Sequence, residues 1–97
     1  MLALTPDSRF ELEEDILLQA LPELDHYYAF NTTDGDNFKL NHTAHWALAA
    51  IGSSVNYSEL LQGYSQKYDL DGKTAERDLK EVLQYALESK IIKEVKP

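Results

Sequence analysis

The chain has 97 residues, enough for one modest core, and its 17 acidic against 9 basic side chains give a net charge of −8. Nucleic acids and anionic membranes draw binders through basic faces, so this balance argues against both as partners. There is no cysteine, which excludes disulfides, thiolate metal ligands and thiol nucleophiles.

Met1–Asp7 lacks the basic flank and apolar centre of a secretion signal, and no segment approaches the apolar length of a membrane span. The cytoplasm is the expected location. Residues 1–9 read as a flexible N-terminal segment and 10–97 as one domain. A first strand is expected within Phe10–Leu21, centred on Ile16, Leu17 and Leu18 and closed by Pro22. The acidic run Glu11, Glu13, Glu14 and Asp15 reads as a solvated strand edge or turn. Tyr27–Phe30 reads as a second strand. Asn31–Asn37 is dense in turn formers, with Asp34-Gly35 as its hairpin signal, and Phe38-Lys39-Leu40 returns as a short third strand.

Asn41 then offers a side-chain oxygen to the amides that open a helix, and Ala44, Ala47, Leu48 and Ile51 follow at helical spacing. Gly52 ends that helix. The second opens at Asn56, with Glu59 three residues on as a capping box, and carries Tyr57, Leu60, Leu61, Tyr64 and Tyr68. After the Asp69–Gly72 loop, the third runs from about Thr74 to Ser89, with Ala75, Leu79, Val82, Leu83 and Ala86 as its buried stripe. Ile91-Ile92 continues into an extended tail. The expected fold is α+β and winged-helix-like: a three-stranded antiparallel sheet followed by three helices.

Catalytic chemistry is poorly represented. His42 and His45 stand three apart on a helix, but two histidines without a third ligand make a weak zinc signal. Asp34, Asp36, Asn37, Asp69 and Asp71 do not fit a calcium loop and read as turn residues. No nucleophile elbow or glycine-rich phosphate loop is present. The triplets beginning at Asn31, Asn41 and Asn56 match a glycosylation pattern but read as a turn and two caps. No metal or cofactor is expected, and the chain does not read as an enzyme. Six tyrosines, three phenylalanines and Trp46 are many for this length. Most belong in the core; Tyr27, Tyr28 and Tyr85 are expected to be partly exposed, which favours a binding surface.

Taken in order, Phe38-x-Leu40-Asn41-x-Thr43-Ala44, then Val55-Asn56-Tyr57-Ser58-Glu59-Leu60-Leu61, Tyr68-Asp69, Ala75-Glu76-Arg77-Asp78-Leu79, Leu83, Leu87 and Ile91-Ile92 cover about two thirds of the chain. This series resembles the PqqD-like family, the precursor-peptide recognition elements of ribosomally made peptide natural products. The resemblance implies a non-catalytic domain that binds a precursor's leader segment as an added strand on the third strand's edge. Guest side chains would enter a groove against the third helix. On that resemblance the site comprises Phe38, Lys39 and Leu40, with Asp78, Glu81, Val82 and Tyr85 along the helix and Arg77 as a partner for a guest carboxylate. The partners implied are the leader and a modifying enzyme, either a radical SAM maturase or a leader peptidase or cyclase. A winged-helix DNA-binding regulator and a small protein adaptor are the alternatives.

Overall fold

The computed structural model describes residues 4–53 and 55–95. Its strands are β1 (Arg9–Leu12), β2 (Ile16–Leu21), β3 (His26–Asn31), β4 (Asn37–Leu40) and β5 (Ile92–Val95). Its helices are α1 (His42–Ile51), α2 (Tyr57–Lys67) and α3 (Gly72–Glu88). The architecture is α+β. Strands β2, β3 and β4 form an antiparallel sheet in that order, and β1 and β5 form a separate antiparallel pair.

The expected first strand is therefore two strands. Arg9–Leu12 alternates exposed and buried side chains around Phe10, which is 3% exposed. At the end of this run, Glu13 donates its amide to the Ile91 carbonyl, and the Ile16 amide donates back to the Glu13 carbonyl. Glu13, Glu14 and Asp15 of the acidic run thus make a turn between two sheets, while Glu11 lies on β1. The tail after Ile91 is also a strand: β5 pairs along β1, setting Lys93 opposite Glu11, with Nζ 3.2 Å from Oε1. Residues just before β1 dock as well, since the Tyr57 and Ser58 amides donate to the Ser8 and Pro6 carbonyls.

The β3–β4 hairpin is built by its turn residues. The Asn31 carboxamide oxygen accepts from the Thr33 and Asp34 amides, Asp34 accepts from Asp36, and Gly35 takes φ +82°. That left-handed backbone suits glycine, which has no Cβ to clash. Helix starts are similarly local. Asn41 accepts from the Ala44 amide, Asn56 and Glu59 exchange the two bonds of a capping box, and Asp71 accepts from the Thr74 amide. The Asp71 bond places the start of α3 at Gly72, two residues ahead of the expected Thr74.

Helix α1 packs against the β2–β3–β4 sheet and against β1, while α2 and α3 pack on α1 and on each other and α3 also meets β5. Their buried residues, Ala44, Ala47, Leu48 and Ile51 on α1, Tyr57, Leu60 and Tyr64 on α2, and Ala75, Leu79, Leu83 and Ala86 on α3, join Phe10, Ala29, Leu40, Ile91 and Ile92 in one core. Val82, expected in the buried stripe, is only half-buried at its margin. On the opposite sheet face Leu17 and Leu21 are about half exposed. Among the described residues, no helix is long and apolar enough to cross a membrane.

Candidate functional site

Strand β4 is an edge of its sheet, and its register fixes which main-chain groups are free. It pairs Leu40 with Tyr27, Lys39 with Tyr28 and Phe38 with Ala29. The Asn31 amide donates to the Asp36 carbonyl at 2.8 Å, so the next hydrogen-bonded pairs in the antiparallel alternation are Ala29 with Phe38 and Tyr27 with Leu40. Phe38 and Leu40 thus turn their main chain toward β3. Asn37 and Lys39 turn theirs toward the open edge.

Side chains alternate the other way. Leu40 is buried and Phe38 half-buried on the helix side, while Lys39 is exposed on the outer face. Beyond Leu40, the Asn41 cap turns the chain into α1 and sets Ala44 beside the strand end. A groove of about 220 Å³ opens between this joint and α3, lined by Lys39, Leu40, Asn41 and Ala44 on one wall and Glu81, Val82 and Tyr85 on the other. The three α3 residues share a face through their i, i+1 and i+4 spacing. Leu40, Ala44 and Val82 make an apolar floor. Glu81, Lys39 and the 44%-exposed Tyr85 supply polar rims.

Five expected site residues, Lys39, Leu40, Glu81, Val82 and Tyr85, therefore line one groove. Phe38 lies on the same strand but faces the helices without lining it. Arg77 and Asp78 stand apart. The Arg77 guanidinium lies 3.7 Å from the Asp78 carboxylate and lines a separate charged depression with Lys73, Glu76 and Lys80. Sequence reasoning missed Asn41 and Ala44 as lining residues. The signal was available: the first turn of a helix that follows an edge strand without a loop must flank the end of that strand.

The histidines have other surroundings. The His45 ring lies 5.1 Å from that of Tyr27, and the His42 ring 5.4 Å from that of Tyr68. Desolvation by burial lowers the His45 pKa and so favours its neutral ring. The His26 Nδ1 sits 2.8 Å from the Tyr28 hydroxyl. Among the described residues, no three His, Asp or Glu side chains gather closely enough to hold a metal ion.

No family model matches the chain, and no curated protein does. Two solved structures share its architecture. TbiB1 in complex with the TbiA(beta) leader peptide aligns with a TM-score of 0.74 at 16% identity, over 86% of this chain and 94% of that one. Lasso peptide synthetase B1 complexed with the leader peptide aligns with a TM-score of 0.74 at 18% identity, over 88% and 98% respectively. At such identities the likeness is one of fold: this chain adopts the architecture of two proteins solved with leader peptides bound.

Proposed function

We propose that this protein binds the leader segment of a ribosomally made precursor peptide and presents it to a modifying enzyme, without catalysing a reaction itself. The observation that carries the reading is the open edge of β4 beside an apolar-floored groove, in a fold shared with two leader-peptide complexes. A guest strand would hydrogen-bond to the free main-chain groups of Asn37 and Lys39. Alternate guest side chains would then drop between Leu40 and Val82. Main-chain pairing supplies affinity with little sequence demand, and the groove supplies selection. Lys39 guards the edge against indiscriminate pairing, as charged residues on edge strands commonly do.

The enzyme served would be a radical SAM maturase or a leader peptidase or cyclase. A DNA-binding role for the same fold is disfavoured by the net charge of −8 and by α3, where Glu76, Asp78, Glu81 and Glu88 outnumber Lys73, Arg77 and Lys80.

The test is a titration with synthetic leaders encoded beside the gene. Binding at micromolar strength or better, with strand-like NMR shifts at Asn37–Leu40, is the expected result. Val82→Arg should weaken it by roughly 100-fold, because a guanidinium would have to be desolvated in the groove. The α3 core residues Ala75, Leu79, Leu83 and Ala86 are untouched, so the circular dichroism spectrum should persist. Failure to bind any neighbouring short peptide, together with salt-sensitive DNA binding, would sink the proposal.

A further inference from the structure

A guest strand on β4 has two faces, and only one of them enters the groove. The other lies on the outer face of the sheet, where the register of β4 fixes its surroundings. Lys39 is exposed there, directly opposite the half-buried Tyr28. No carboxylate answers its ammonium. The side chains around it on that face, His26 and Phe30 diagonally and Gln19 one strand further, carry none. Arg77, Lys80 and Lys93 each lie 2.9–3.7 Å from an acidic partner, whereas Lys39 has no ion pair among the described residues. In a chain with 17 acidic side chains, the open edge thus presents a cation that the chain itself does not neutralise.

Main-chain phase decides what meets that cation. Ala29 with Phe38 and Tyr27 with Leu40 are the hydrogen-bonded pairs of β3 and β4, so Lys39 turns its amide and carbonyl outward. The guest residue that takes up those groups lies directly opposite Lys39. Directly opposed residues share a face of the sheet, which sets the guest side chain against the ammonium. From this we infer that Lys39 selects a guest carboxylate: the leader bound here carries Asp or Glu immediately beside the apolar residue that fills the groove. The inference rests on the leader binding proposed above.

The spacing follows from strand geometry. The groove-filling residue lies opposite Leu40, and successive side chains alternate faces, so the acidic residue is its neighbour whichever way the guest runs. Lys39 thereby takes the role expected of Arg77, which lines a separate depression on α3. The same ammonium disfavours a lysine or arginine directly opposite it, so the residue that guards the edge also chooses what pairs there. With a net charge of −8 the chain repels acidic guests in general. The guest that fits best therefore carries its carboxylate at this one position and is not acidic throughout.

The probes are the synthetic leaders of the titration above, with Glu and Lys placed in turn at each position of the bound segment and affinities read by calorimetry. The unsubstituted leader is titrated first, and the guest residue in the groove is located by its coupling to Val82→Ala. At the position beside it, the wild-type chain should favour Glu over Lys by at least about threefold. Lys39→Glu should reverse that preference, with a coupling of at least about tenfold across the four combinations, and Lys39→Gln should abolish it. Lys39 is exposed, so both variants should keep the wild-type circular dichroism spectrum. Leaders that bind without charge preference, a preference that survives Lys39→Glu, or one centred two residues from the groove position would overturn the inference and leave leader binding standing. Leaders that do not bind at all would overturn the leader-binding proposal, and this inference with it.

Discussion

Tyr57 is the one buried side chain whose polar atom finds no hydrogen-bond partner among the described residues. Its ring is 7% exposed and fills the start of α2 against the core. An orphaned buried hydroxyl carries its full desolvation cost, commonly about 1–3 kcal/mol, whereas the ring alone would carry none. Tyr57→Phe should therefore leave stability unchanged or raise it by up to about 1 kcal/mol, measured as a urea midpoint at neutral pH. The same burial, with the Glu76 carboxylate as a smaller contributor, pushes the phenol above the ordinary tyrosine value. A group whose folded pKa is raised gives stability that is complete below its unfolded pKa, near 10, and lost as pH climbs through the folded value. The wild-type chain should accordingly lose more stability than the phenylalanine variant above about pH 10. A variant destabilised at neutral pH would mean that the hydroxyl has a partner in solution.

Among the elements, those whose signals are local were legible and those made by distant pairing were not. The β3–β4 hairpin follows from Asp34-Gly35, α1 from Asn41, and α2 from the Asn56–Glu59 box, each within a few residues of its cause. The β1–β5 pair joins the two ends of the chain, so no local pattern reveals it. In hindsight the alternation Arg9, Phe10, Glu11, Leu12 and the opposite charges of Glu11 and Lys93 were its traces. The groove divided similarly. Glu81, Val82 and Tyr85 were expected there on the family resemblance and line it, while Arg77 and Asp78, taken on the same ground, stand apart, because the direction of a helical side chain depends on neighbours that spacing alone does not fix. The β1–β5 pair is anchored by Phe10, buried to 3% among residues from both ends of the chain. Phe10→Ala should cost about 3–5 kcal/mol, a large share of the stability of a domain this size. A loss below about 1 kcal/mol in a denaturant titration would show that the pair is an ornament on the core rather than part of it.

At the scale of the whole molecule, 17 acidic residues against 9 basic ones set up a self-repulsion that ion pairs among the described residues partly offset. Two of them are Lys80 with Glu76 at 2.9 Å and Lys93 with Glu11 at 3.2 Å, all four side chains between 42% and 54% exposed. Exposed pairs of this kind are typically worth between zero and about 1 kcal/mol each. Salt weakens these attractions and the far more numerous repulsions together. The net charge decides which dominates, so the melting temperature should rise as sodium chloride goes from about 10 mM to about 150 mM. The same reasoning separates the modes of binding. Leader capture through main-chain pairing and an apolar groove should depend weakly on salt, whereas binding that relied on phosphate neutralisation would fall steeply. A melting temperature that falls with salt would mean that the pairs at Lys80 and Lys93 outweigh the surplus of carboxylates, and the charge argument against DNA would weaken with it.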